Sequence, residues 1–205
     1  MLACVWLCTC ISVRERALSL ATRRPFGDSQ RIFSAGFDLE ILKNFNDDTL
    51  TMLRGGFELA ARLMAFPAPV VIACTGHAMD MGSFLLCAAD YRIGSAGEFK
   101  IGANEVAIGL TMPTPALAML RHRLSPTAIT RSVALAEIFD PAAAVSAGFL
   151  DQVVEPEHVV AEAQSFAARI APLDRAAYLG SKLRLHEETI GAVMAGIGTD
   201  YPRRA

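Results

Sequence analysis

At 205 residues, 53% of them hydrophobic and 20% charged, the chain is long enough to bury one sizeable core and too short for two typical domains. A formal net charge of −2 and an isoelectric point near 6.1, with no basic stretch interleaved with aromatics, exclude an electrostatic footprint for nucleic acid or a membrane surface. Mean hydropathy is +0.36, yet no run of 18 apolar residues occurs, so a membrane span is not expected.

Residues 1–31 read as an atypical segment and 32–205 as one domain. In the first, Arg14, Arg16, Arg23 and Arg24 face only Glu15, a composition that also fits a transit peptide. In Phe33-Ser34-Ala35-Gly36-Phe37-Asp38-Leu39 small residues let the backbone turn sharply before a carboxylate suited to cap the next helix. Asp47-Asp48-Thr49 reads as the N-cap cluster of a helix over residues 50–66, with Leu50, Leu53, Phe57, Ala60 and Met64 on one face and Pro67 ending it. Val70, Val71, Ile72 and Ala73 then form a short β-branched run, expected as a strand covered on both faces.

A glycine turn follows, and Gly82 opens Phe84-Leu85-Leu86-Cys87-Ala88-Ala89, apolar almost all round and expected as a short buried helix. The first N–H groups of such a helix lack an intrahelical partner and sit at the positive end of its dipole, so an oxyanion or developing enolate would be stabilised there. An ordinary strand–helix corner has the same pattern. Asp80 is expected to be a solvated turn residue or a cap on this helix, and His77 to pack or hydrogen-bond in the turn. Strands over residues 91–93 and 98–101 bracket Gly94 and Gly97, and Glu105 emerges in a loop. From Pro115 the pattern is helical. Asp140-Pro141 opens a short helix that Gly148 stops, and amphipathic helices are expected over 159–170 and 175–185.

Cys4, Cys8, Cys10, Cys74 and Cys87 form no CxxC pair and have no histidine at zinc-ligand spacing, so no metal is expected and a reducing compartment is indicated: cytoplasmic, with mitochondrial as the alternative. No G-x-S-x-G elbow surrounds Ser83, and His77, His122, His158 and His186 make no recognisable partner pattern for a Ser83 or Cys87 nucleophile.

Four segments in order, Phe33 to Leu39, GHAMDMGSF, Asp90-Tyr91-Arg92-Ile93 and Ile101 to Leu110, resemble the crotonase, or enoyl-CoA hydratase/isomerase, superfamily. The likeness continues through Asp140 to Val154 and on to Lys182. It implies an α/β fold with a crotonase-like ββα spiral core and C-terminal helices, an acyl-CoA substrate with no cofactor beyond that thioester, and a homotrimer or homohexamer. It also implies that the backbone N–H groups of Phe37 and Met81 form an oxyanion hole, that Ala35, Asp38 and Lys182 contact coenzyme A, and that Glu105 is the catalytic acid/base. Crotonases carry several strands and a helix upstream of the first segment, so this chain is expected to be truncated at the N-terminus by a late or shifted gene start.

The departures bear on the reaction. Hydratases of the family use two glutamates. Here the first of those positions holds Phe84, and only the second, Glu105, is present. Resemblance to the Δ3,Δ2-enoyl-CoA isomerases, which pair an apolar residue with a single glutamate, makes double-bond isomerisation the leading expectation. A hydratase working with Glu105 alone and a non-catalytic acyl-CoA binder or oligomer partner are the alternatives. Met81 and Asp80 replace family glycines. The oxyanion donors are main-chain groups and survive a change of side chain, whereas an Asp80 carboxylate facing a developing enolate would oppose it.

Overall fold

The structure, a computed structural model, describes residues 10–12, 32–43 and 45–202. The expected atypical segment 1–31 lies outside these residues except for β1 (Cys10–Ser12).

β3 (Val70–Cys74) is buried at all five positions, as its β-branched run predicts. Val70, Ile72 and Cys74 face one apolar cluster, and Val71 and Ala73 face a second; a period-2 strand between two layers gives this division. β3 pairs in parallel with β5 (Tyr91–Ser95), and β5 with β7 (Gln152–Val154). β1 pairs antiparallel with β3, giving the order β1-β3-β5-β7. A second, three-stranded parallel sheet joins β2 (Ile32–Ser34), β4 (His77–Met79) and β6 (Ile101–Gly102). The chain passes from β3 to β4 and then into α3 (Met81–Ala88), and again from β5 to β6 and into a 3₁₀ turn (Glu105–Ile108). This is the ββα repeat expected from the sequence. The strand expected over 98–101 shrinks to Ile101–Gly102, because Gly97 turns the chain at φ 128°.

α1 (Leu39–Leu42) is capped by Asp38, whose Oδ1 accepts the Glu40 N–H at 2.8 Å. α2 spans Asp47–Met64. Its cap is Asn46 rather than the expected Asp47-Asp48-Thr49 cluster: Asn46 Oδ1 accepts from the N–H groups of Asp48 and Thr49, and Thr49 Oγ1 accepts the Asn46 N–H, a reciprocal capping box. The aspartates instead lie in the first turn, where they favour the helix dipole.

The C-terminal helices are α4 (Thr114–Arg123), α5 (Pro126–Val133), α6 (Pro141–Ala147), α7 (Val159–Ile170) and α8 (Arg175–Asp200). α7 covers the second cluster, while α8 packs on α4 and α2. α8 runs well past the expected stop near residue 185. Gly196 is a packing residue: a Cβ on it would stand 2.8 Å from Pro115 N, so glycine lets α8 approach α4 closely. Arg92, 3% exposed, binds both Asp151 oxygens at 2.7 Å through Nε and Nη2, and its own N–H donates to Asp151 Oδ2 at 2.8 Å. This bidentate pair ties the start of β5 to the residue before β7.

Candidate active site

Two turns meet at the end of the second sheet. The first follows β2, where Gly36 adopts φ 94° and Phe37 lies next. The second follows β4, where Asp80 precedes the first residue of α3, Met81. A Cβ on Gly82 would stand 2.7 Å from Ser34 O, and one on Gly36 would stand 3.0 Å from Asp80 Cβ. The turns are therefore in van der Waals contact, and glycine at 36 and 82 allows it. Over Gly56 of α2 the Phe37 ring and the Met81 thioether converge, since a Cβ there would come within 2.6 Å of Phe37 Cε1 and 3.3 Å of Met81 Sδ. Among the described residues neither the Phe37 nor the Met81 N–H has a hydrogen-bond partner. Two main-chain donors thus remain free beside a helix start.

Glu105 stands on the 3₁₀ turn after β6. It is 7% exposed, and its Oε2 has no partner among the described residues. Burial, with a smaller contribution from the Asp80 charge, pushes its carboxyl up to about 7 against a hydrogen bond from its own backbone N–H. A buried carboxyl that exchanges its proton near neutrality is equipped for general acid–base work.

An aromatic wall borders the two turns. Phe84 is 1% exposed and lies on Phe57 with centroids 5.9 Å apart; Tyr201 stacks on Phe57 at 5.9 Å, and Phe37 meets it tilted at 6.1 Å. Tyr201, near the end of α8, escaped sequence reasoning, because nothing local marks a residue delivered by a helix end. Its phenol is held above its ordinary titration range by burial first, then by the charges of Asp200 and Glu105, which puts it within electrostatic reach of Glu105.

Asp80 is neither a solvated turn residue nor a helix cap. α3 has no side-chain cap, and the Asp80 carboxylate instead accepts the Asn104 N–H at 3.2 Å through Oδ1. Its backbone sits at φ 47°, ψ −117°, a region natural to glycine, which costs on the order of 1–3 kcal/mol for other residues. Burial raises its carboxyl above the usual range, while the Asn104 N–H lowers it.

Other expected residues separate. Ala35 and Asp38 lie exposed on the Phe37 turn. Lys182 does not join them: it is 3% exposed, with Nζ 2.6 Å from Asp90 Oδ2 and 3.3 Å from Ala68 O. Asp90 also accepts the Val70 N–H, so this ion pair sits where β3 and β5 begin, and its ammonium is held by Asp90 and Ala68. His77 Nδ1 accepts the Lys100 N–H at 2.9 Å, the packing role expected of it. Cys87 is buried and its thiol pushed up to about 11; Ser83 Oγ donates to Asp80 O. Neither is activated for attack. No group of three His, Cys, Asp or Glu able to hold a metal occurs among the described residues.

Comparison with known proteins bears on the family and the fold. The enoyl-CoA hydratase/isomerase family model matches residues 26–195. A probable enoyl-CoA hydratase of Mycobacterium avium is 33% identical over 152 residues, 74% of this chain and 59% of that relative; the chain therefore spans 59% of that relative's length. The crystal structure of an enoyl-CoA hydratase from Mycobacterium marinum superposes with a TM-score of 0.79 at 44% identity, covering 84% of this chain and 77% of that one. The human mitochondrial Δ3-Δ2-enoyl-CoA isomerase superposes at 0.77 and 26% identity, covering 84% and 69%. The chain belongs to the enoyl-CoA hydratase/isomerase family and has its crotonase fold.

Proposed function

We propose that this chain binds an acyl-CoA thioester and shifts a double bond along the acyl chain, as a Δ3,Δ2-enoyl-CoA isomerase. The observation that carries this reading is Phe84, fully buried on Phe57 at the position where the family's hydratases hold their first glutamate. In this reading the Phe37 and Met81 N–H groups polarise the thioester carbonyl. The Glu105 carboxylate removes a proton from the α-carbon of a 3-enoyl thioester, and the electron pair delocalises into a dienolate held by the two amides. Glu105 then returns the proton to the γ-carbon, leaving a 2-enoyl thioester and the original carboxylate. No water enters the balance, which suits an aromatic wall. Hydration of a 2-enoyl thioester is the second reading, favoured by Asp80, a further carboxylate whose charge reaches Glu105. The family's trimeric or hexameric assembly belongs to the same proposal.

Glu105→Gln tests it. Turnover of 3-enoyl-CoA is expected to vanish while acyl-CoA affinity stays within a few fold, because the carboxylate transfers protons and contributes little to holding the nucleotide. Retained turnover would remove Glu105 from its role. Wild-type protein that hydrates 2-enoyl-CoA faster than it isomerises 3-enoyl-CoA would favour the second reading, and binding without any turnover would leave an acyl-CoA binder.

A further inference from the structure

Three segments of the site come together on one side chain. Asp80 N–H donates to Gly102 O at 2.9 Å, and Asp80 Oδ1 accepts the Asn104 N–H at 3.2 Å. The residue at the mouth of α3 thus grips the strand end that delivers Glu105 at two points. Its Cβ and Oδ2 also lie 3.0 and 3.4 Å from where a Gly36 Cβ would stand, so the same carboxylate seats against the turn carrying Phe37. A glycine at 80 would relieve the positive φ of 47° and would keep the main-chain bond to Gly102. What only the aspartate adds is the link to Asn104.

We propose that Asp80 is a positioning residue for Glu105, a carboxylate clamp that fixes the Asn104–Glu105 segment against the two turns bearing the Phe37 and Met81 amides. This rests on the reading of Glu105 as the acid/base. The clamp has an electrostatic side. Among the described residues, the Asp80 charge from the α3 turn acts on Glu105, and the Glu105 charge acts on the Tyr201 phenol at the end of α8. Of these, Asp80 carries the charge that opposes Glu105 ionisation. Replacing the charge while keeping the acceptor separates the two effects.

Hydrogen exchange at the Asn104 amide and the pH titration of the Glu105 carboxyl, both followed by NMR on the ligand-free protein, test the clamp without relying on turnover. In Asp80→Asn the side-chain oxygen still accepts from Asn104, so exchange stays within about threefold of wild type while Glu105 titrates at lower pH. In Asp80→Gly the acceptor is gone. Asn104 exchange accelerates at least about tenfold, and any isomerase kcat falls by more than KM changes, even though the relaxed backbone keeps the fold at least as heat-resistant. Unchanged Asn104 exchange in Asp80→Gly, or an unchanged Glu105 titration in Asp80→Asn, would overturn the proposal. If exchange and titration respond as expected while the wild-type protein never isomerises 3-enoyl-CoA, the clamp stands and the isomerase reading falls.

Discussion

The ring of Phe84 lies on that of Phe57, with centroids 5.9 Å apart and planes 25° from parallel, on a helix all eight of whose residues are buried. A carboxylate placed there would be buried against aromatic rings. Phe84→Glu is therefore expected to destabilise the protein by about 3 kcal/mol or more, through lost packing and an uncompensated buried charge. It should give no gain in hydration of 2-enoyl-CoA, since the new carboxyl stays protonated. Denaturant unfolding and a hydration assay check both halves; a clear gain in hydration would show that water already reaches this wall.

The Glu105 carboxyl, pushed up to about 7 by burial, must be ionised to act as a base. kcat/KM is accordingly expected to rise with pH through about 7, since that ratio reports the free enzyme.

The same shift sets a stability effect of defined sign. Between pH 4.5 and about 7 the folded state keeps a proton that the unfolded chain has lost, so Glu105 favours folding less and less as pH rises through this window. Glu105→Gln removes that dependence. Its stability relative to wild type should increase from pH 4.5 to 8 by up to roughly 3 kcal/mol, measured by urea unfolding at several pH values. A flat difference would mean that Glu105 titrates near its ordinary value.

Gly55 and Gly56 are adjacent in α2 but have opposite surroundings. A Cβ on Gly55 meets nothing within 4 Å, whereas one on Gly56 meets the Phe37 ring at 2.6 Å. Gly55→Ala is expected to stabilise by about 0.5–1 kcal/mol through helix propensity and to leave kinetics alone. Gly56→Ala should forfeit that gain and alter KM or kcat by displacing Phe37. Equal behaviour of the two variants would refute the convergence of Phe37 and Met81 over α2.

Lys182→Met removes the ammonium that lies 2.6 Å from Asp90 and leaves a half-buried carboxylate short of a partner. A loss of about 3 kcal/mol or more is expected, with acyl-CoA affinity in the folded protein unchanged. Weakened acyl-CoA binding at undiminished stability would restore Lys182 as a coenzyme contact.

Much of the site was legible because its parts are local. The residues 33–39 turn, the strand into the 77–84 turn, and Glu105 after Gly102 each carry their backbone chemistry in consecutive residues. The β3 run and the Asp140 and Gly148 helix limits were readable for the same reason. What escaped depends on partners distant in sequence. Lys182 reads as a coenzyme A contact from the resemblance, and nothing near it in sequence announces its ion pair with Asp90. Gly196 has no evident reason in the sequence to sit inside a helix until α4 is packed against α8. Asp80 resembles a turn or cap residue by type, and only the Asn104 amide, 24 positions on, turns its carboxylate inward.

The parallel pairing of β3, β5 and β7 has a kinetic meaning. Val71 meets Tyr91 and Gly94 meets Val153, so the central sheet cannot close until stretches of about 20 and then about 60 residues have been drawn together. The entropy of those closures falls due before the contacts reward it. Refolding is expected to be slow for a chain this rich in helix, with β3, apolar on both faces, exposed to aggregation in the interval. Arg92 and Asp151 lock only when β7 docks. A conservative change at that pair should therefore register mainly as faster unfolding rather than slower folding.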